Sequence, residues 1–235
     1  MLRALLFDFN GVLVDDEPIH HELIRRVLEE QGIRLDLPRP EELFLGREDR
    51  ACFDLALERV GRAADPVELT RLVTRKRQYY REWVHRQGYP FFPGALKLAR
   101  EAAAAGLALG IVSGSSREEI EAALKQARVR DLFKVIVAAE DVPRGKPDPR
   151  GYLLALERLN SRPPLPDRLL HPHEVLAIED SVPGLAAAQD AGLVTLAVCH
   201  SHPAERLAFA DAVRPDLEVL NVPCLQAIYA ETSQR

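Results

Sequence analysis

Five short apolar runs punctuate the chain, at residues 2–7, 107–112, 135–138, 175–178 and 194–198. Each is continuous rather than alternating, which predicts strands covered on both faces, as in a parallel sheet, and not strands with one wet face. Between them, apolar residues recur at helical spacing over 95–105, 117–127, 149–160 and 183–191. Strand and helix in alternation predict an α/β fold, a doubly wound and mostly parallel Rossmann-like sheet flanked by helices.

Residues 18–88 break this rhythm. Ile19, Leu23, Ile24, Val27 and Leu28 follow a helical period, and further helical patterns cover 50–60 and 66–86 with no convincing strand between them. Asp65-Pro66 is a good helix start, and Gly32, Gly61 and Gly88 are suited to helix ends. This is more helix than a crossover between two parallel strands requires. It predicts an all-helical cap domain, residues 16–90, inserted into a core domain formed by 1–15 and 91–235. The proline-rich stretch 160–173 predicts an irregular surface excursion, and the tail beyond Asp211 a second proline cluster followed by a short helical run at 225–229.

The 235 residues are enough to bury a large core. Cys52, Cys199 and Cys224 lie far apart without a CxxC pair, so neither a zinc knuckle nor a disulfide framework is indicated. Asp8 interrupts the first apolar run before a signal-peptide core can form, and no window approaches the ~20 apolar residues that span a bilayer. A cytoplasmic protein without a membrane partner is expected. The formal charge of −5, with arginines interspersed among acidic residues, argues against nucleic acid and leaves room for a small anion at a local positive site.

Ligands of open α/β sheets bind beyond the carboxyl ends of the strands. Four of these ends carry polar groups: Asp8-Phe9-Asn10, Ser113-Gly114-Ser115-Ser116, the loop with Lys146, and Glu179-Asp180-Ser181. One polar strand end is ordinary loop chemistry; four in succession suggest a site.

The same segments carry a resemblance. Asp8-Phe9-Asn10-Gly11-Val12-Leu13-Val14-Asp15, Ile111-Val112-Ser113-Gly114-Ser115, Gly145-Lys146-Pro147-Asp148-Pro149 and Ile178-Glu179-Asp180-Ser181 have the order and spacing of the haloacid dehalogenase-like superfamily, and the chain resembles its branch of helical-cap phosphatases and β-phosphoglucomutase-like enzymes. The resemblance implies that Asp8 is a nucleophile that takes up the phosphoryl group as an aspartyl-phosphate. It implies Mg²⁺ held by Asp8, the backbone carbonyl of Asn10, and Asp180 with Glu179 in support, a set of hard oxygen donors. It implies that Ser113 and the amide of Gly114 bind phosphoryl oxygens and that Lys146 screens the repulsion between phosphate and nucleophile. Ser113 also has a simpler reading, as a helix cap in a serine-rich turn.

Asn10 departs from the pattern. Most phosphatases and mutases of this family carry aspartate two residues after the nucleophile, as general acid and base; an amide cannot carry that proton at neutral pH. Three explanations stand side by side: a natural variant acting on phosphates with good leaving groups or using another proton carrier, a phosphate-ester binder with low turnover, or an introduced substitution. In the cap, the resemblance implies a role for His20 in proton handling or closure, and for Arg47 in the loop Leu45-Gly46-Arg47-Glu48-Asp49 in recognising a distal anionic group, with Lys76 and Arg75 as possible additions. Capping or packing for His20, and a solvated face for Arg71, Arg75, Lys76 and Arg77, are the alternatives. Tyr79, Tyr80 and Trp83 are expected to fill the cap core. The function expected is a Mg²⁺-dependent phosphatase of a small phosphorylated metabolite, monomeric by family default. A sugar phosphomutase of the β-phosphoglucomutase type is the second reading, and metal-free dehalogenation is disfavoured by the Glu179-Asp180 pair.

Overall fold

A computed structural model describes residues 1–35, 44 and 49–232. The chain divides into two compact units, Met1–Asp15 with Pro90–Arg235, and Asp16–Tyr89.

The first unit holds a six-stranded sheet in the order β3-β2-β1-β4-β5-β6, with β1 Ala4–Phe7, β2 Ala108–Val112, β3 Phe133–Val137, β4 Val175–Glu179, β5 Val194–Val198 and β6 Ala212–Arg214. All its pairings are parallel. The continuous apolar runs have their explanation here: every residue of β1, β4 and β5 is buried, because helices flank the sheet. Along β1, Ala4 and Leu6 join a core with Val135, Tyr152, Ala155 and Ala187. Leu5 and Phe7, equally buried, alternate to the opposite face.

The helices of this unit are α4 Ala95–Ala104, α5 Arg117–Gln126, α6 Arg150–Ser161, α7 Val182–Asp190, α8 Ala204–Leu207 and α9 Val222–Thr232, in a chain whose α1 to α3 belong to the second unit. Their starts are written locally. The Ser116 hydroxyl accepts from the Glu119 amide at 3.3 Å, and the Ser181 hydroxyl from the Gly184 amide at 3.2 Å, each relieving an orphan donor of a first turn. The expected excursion at 160–173 follows the end of α6 and has no regular structure until a 3₁₀ turn at Pro172–Glu174. Two elements were not anticipated: α8, a single turn, and β6, a half-buried edge strand too short for a periodic signal.

Strand order reverses at β1, whose neighbours are β2 and β4. Phe7 is level with Ile111 on one side and Ile178 on the other. The Asp8 amide donates to the Ile178 carbonyl at 3.0 Å and the Ser113 amide to that of Val137 at 2.9 Å. Register alone therefore delivers Asp8, Ser113 and Glu179 to one edge of the sheet, at the point where doubly wound folds open a crevice.

The second unit is helical throughout its described secondary structure: α1 Glu17–Glu30, α2 Asp49–Arg59 and α3 Pro66–Gln87. Asp65 caps α3 by accepting from the Val67 amide at 2.9 Å. The helices enclose a core that includes Ile24, Val27, Phe53, Leu57, Leu72 and Tyr80. Tyr79 is buried in it and Trp83 packs against it, as expected of aromatics at helical spacing.

An ionic hub ties down the loop after β3, which leads to Lys146. Asp141 accepts from Arg158 at 2.8 Å, from the Ala138 amide at 2.8 Å and from Arg117, while both guanidiniums also donate to the Ile136 carbonyl, at 3.1 Å from Arg117 and 2.9 Å from Arg158. The hydrogen bond from Arg158, aided by the Ala138 amide and Arg117 and opposed by burial, holds the Asp141 carboxyl at about 2, below its ordinary 3.8. A depressed carboxyl contributes stability that is present above its unfolded pKa and lost as pH falls through the folded one. Asp141→Asn is expected to cost about 1–2 kcal/mol at pH 7. In urea titrations the gap should narrow as pH falls from about 4 towards about 2; a gap independent of pH would contradict this role.

Candidate active site

Asp8 leaves the end of β1, and Glu179 and Asp180 the end of β4, each within reach of the others: one carboxylate oxygen from each lies within 4.8 Å of the rest. Glu179 is fully buried and Asp180 nearly so. Lys146 enters this acidic group from the loop before α6. Its Nζ lies 2.7 Å from Asp8 Oδ1 and 2.6 Å from Glu179 Oε1. Glu179 is engaged further, accepting from the Tyr152 hydroxyl at 2.5 Å and the Ser181 hydroxyl at 3.2 Å.

Charge is unbalanced in this cluster, because three carboxylates face one ammonium. Burial pushes the Asp8 carboxyl up to about 7; the charge of Glu179 adds to the rise and Lys146 opposes it. Burial likewise raises Asp180, with Asp8 and Glu179 adding to it. Burial would lower Lys146, but the combined pull of Asp8 and Glu179 outweighs it and holds the ammonium above its ordinary range. A concentration of hard carboxylate oxygens with too little positive charge could hold a hard divalent cation, and it lacks the sulfur or imidazole ligands of a typical zinc site. Lys146 engages Asp8 through Oδ1 alone, whereas both oxygens of Glu179 are engaged, Oε1 by Lys146 and Tyr152 and Oε2 by Ser181, so Asp8 and Asp180 are better placed than Glu179 to hold such an ion.

Two glycines let the loops converge. Gly11 has φ +79°, and a Cβ there would fall 2.0 Å from Asp180 Oδ2. A Cβ at Gly184, in the first turn of α7, would fall 2.1 Å from Glu179 Oε2. Any side chain at either place would displace a carboxylate of the cluster.

Ser113, buried, follows β2 directly, and its Oγ accepts from the Ser115 amide at 3.0 Å. The hydroxyl thus holds its own loop, while the helix cap is supplied by Ser116. A Cβ at Gly114 would meet open space, so the need for glycine there does not come from packing. The Asn10 side chain turns to this loop: its Oδ1 accepts from the Ser115 hydroxyl.

His20 and Lys76 come together in the helical unit. Lys76 is buried, while Arg71, Arg75 and Arg77 are exposed, so a uniformly solvated basic face is incorrect for Lys76. Its ammonium donates to Asp49 Oδ1 at 2.7 Å and to His20 Nδ1. His20 Nε2 lies 3.1 Å from Asp16 Oδ2, which also accepts from the Tyr80 hydroxyl at 2.6 Å. A carboxylate only accepts and an ammonium only donates, so the ring proton of His20 sits on Nε2. Arg47 lies outside the described residues.

Tyr152, His200 and Ser201 were not singled out from sequence, and Ser115 was named only as part of the segment that holds Ser113. The His200 Nδ1 is 2.7 Å from the Gly11 carbonyl, and the Ser201 hydroxyl donates to Asp180 Oδ2. His200 and Ser201 follow β5, so polar residues beyond a fifth strand end were the available signal. Tyr152, an aromatic on a helix, offered none.

A model of haloacid dehalogenase-like hydrolases matches residues 2–192. The chain belongs to this family. It is 30% identical to the validoxylamine A 7'-phosphate phosphatase of Streptomyces hygroscopicus subsp. limoneus, over 95% of the chain and 98% of the relative. It is also 30% identical to a phosphorylated carbohydrates phosphatase of Thermotoga maritima, over 94% and 98% respectively. Among solved structures, CbbY from Rhodobacter sphaeroides in complex with phosphate is 26% identical, with a TM-score of 0.79 over 96% of the chain and 100% of that protein. A hydrolase of small phosphorylated metabolites is the activity these relationships support. No helix among the described residues is long and apolar enough to cross a membrane.

Tyr152→Phe removes a hydrogen bond from a fully buried carboxylate without changing the packing of the ring. It is expected to lower unfolding free energy by about 1.5–3 kcal/mol, measured by urea denaturation at pH 7. A neutral result would mean that Glu179 is satisfied by Lys146 and Ser181 alone.

Proposed function

We propose that the chain is a Mg²⁺-dependent phosphatase that transfers the phosphoryl group of a small phosphorylated metabolite to Asp8 and then to water. The observation that carries this reading is the buried group of Asp8, Lys146, Glu179 and Asp180 beyond the ends of β1 and β4.

The roles proposed come from the family pattern, and the contacts support them. Asp8 is the nucleophile: one carboxylate oxygen attacks phosphorus, the bond from phosphorus to the leaving oxygen breaks, and an acyl phosphate forms on Asp8. Lys146, locked in its charged form between Asp8 and Glu179, reduces the repulsion between the carboxylate and an arriving phosphate. Glu179 orients Lys146, and Tyr152 orients Glu179. Ser113 and the amide of Gly114 bind phosphoryl oxygens at the end of β2. Asp8, Asp180 and the backbone carbonyl of Asn10 would hold Mg²⁺, which when bound neutralises phosphoryl charge. Water then attacks phosphorus, the bond from phosphorus to the Asp8 oxygen breaks, and both protons of the water leave with the released inorganic phosphate, restoring the Asp8 carboxylate.

Asn10 directs this chemistry towards particular substrates. Its amide cannot give or take a proton near neutrality, and its oxygen is bound to Ser115. Lys146 is held above its ordinary range and is a poor acid. The leaving group therefore departs unprotonated, which favours acyl phosphates and phosphoanhydrides over sugar phosphates. The same deficit disfavours a phosphomutase, whose chemistry deprotonates a sugar hydroxyl. His20, Lys76 and Arg47 are proposed to contribute to substrate recognition.

Phosphate release from acetyl phosphate and from a hexose phosphate, with and without Mg²⁺, tests the reading. Asp8→Asn should reduce Mg²⁺-dependent release at least about 10³-fold. Asn10→Asp should raise turnover of the hexose phosphate about 10²-fold or more while changing acetyl phosphate little. An equal gain on both would remove the leaving-group argument. Binding of phosphate esters without release or a phosphorylated Asp8 would replace the enzyme with a binding protein.

A further inference from the structure

Consecutive residues after β5 grip two different loops of the site. His200 Nδ1 lies 2.7 Å from the carbonyl oxygen of Gly11, on the loop that follows Asp8 and Asn10. The neighbouring Ser201 donates its hydroxyl proton to Oδ2 of Asp180, on the loop after β4. We infer that the His200-Ser201 pair is a positioning clasp, setting the spacing between the two sides of the proposed cation cradle, the Asn10-Gly11 backbone and the Asp180 carboxylate.

Hydrogen-bond chemistry makes the clasp directional. A backbone carbonyl only accepts, so Nδ1 of His200 carries the proton, and it does so whether or not Nε2 is protonated. The ring is held in turn by Phe92, stacked on it at 3.8 Å between centroids with the planes 12° apart. Phe92 is itself anchored to the same loop, its amide donating to the Leu13 carbonyl at 3.0 Å. On the other side, the Ser201 hydroxyl fixes the rotation of the Asp180 carboxylate through Oδ2, leaving Oδ1 for a cation. A hydroxyl donor also favours the ionised carboxylate that a cation needs. Gly11, with no Cβ, is what lets the two held loops lie this close.

The connection has a topological basis. In the sheet β5 adjoins β4 and β4 adjoins β1, so the loop after β5 reaches across one strand end to the next. Groups that orient metal ligands from behind typically change metal affinity by 10- to 100-fold when removed.

The inference rests on the cation reading above, and a Mn²⁺ titration followed by loss of the free-ion electron paramagnetic resonance signal tests it without turnover. Ser201→Ala should weaken Mn²⁺ binding about tenfold or more, and His200→Phe, which keeps a ring against Phe92 but has no N–H, should do the same. Ser201→Thr and His200→Asn, which restore the donors, should return affinity to within about threefold of the unsubstituted chain. Unchanged affinity in Ser201→Ala and His200→Phe would overturn the clasp, as would a loss that the restoring substitutions fail to repair. If the unsubstituted chain bound no Mn²⁺, the cation reading would fall first and the clasp with it.

Discussion

The arrangement of the site depends on one ammonium among buried carboxylates. Lys146 touches both Asp8 and Glu179, and without it two acids would face each other in a region with little solvent. Buried ion pairs of this kind add little net stability, because desolvation offsets most of the attraction, yet removing one partner typically costs about 3–5 kcal/mol by leaving charge uncompensated. What the pair supplies is a fixed direction: Asp8 is turned towards Lys146, and Lys146 is prevented from leaving by Glu179, itself tied to Tyr152 and Ser181. Even so, one ammonium does not offset the burial of Asp8, whose carboxyl lies near 7. Demand for further positive charge is therefore a property of the chain's own side chains.

That cluster is reached through backbone geometry more than through long side chains. Parallel pairing aligns Phe7 with Ile111 and Ile178, so the residues one step beyond emerge side by side. Close approach then requires the absence of atoms. At Gly11 and Gly184 a single methyl group would overlap a carboxylate, which makes these positions as restrictive as the charged residues they accommodate. The Asp141 hub plays a comparable part for the third loop, joining the starts and ends of three segments through one acid and two guanidiniums. Polar contacts thus hold the loops at the strand ends, while apolar burial holds the strands.

The sheet was legible in the sequence because a strand buried on both faces leaves a continuous apolar run, and the inserted helices because they break the strand-helix alternation for a long stretch. The edge strand β6 has neither property: three half-buried residues carry no period. Asp8, Lys146, Glu179 and Asp180 were legible as polar interruptions at strand ends, strengthened by their combination. Contacts formed between distant segments were not. Nothing in the spacing of Tyr152, twenty-seven residues from Glu179, indicates that its hydroxyl meets that carboxylate. Lys76 had two readings, an addition to the cap site and one member of a solvated basic face; the second does not hold, because Lys76 turns inward to Asp49 and His20.

Under the function proposed above, Asn10 would redistribute the work of a phosphoryl-transfer site. An aspartate at that place would add another negative charge near a cluster already short of positive charge, and would give proton transfer in return. The amide adds none, and its oxygen satisfies the Ser115 hydroxyl, joining the loops after β1 and β2. On that reading, electrostatic stabilisation by Lys146 and a cation would act on the phosphoryl group regardless of what leaves, whereas protonation matters in proportion to the basicity of the leaving oxygen. A site that keeps the first and lacks the second loses little when the leaving group is a carboxylate or phosphate and much when it is a sugar alkoxide. Its selectivity would then be set by the chemistry of the breaking bond before any contact with the rest of the substrate is counted.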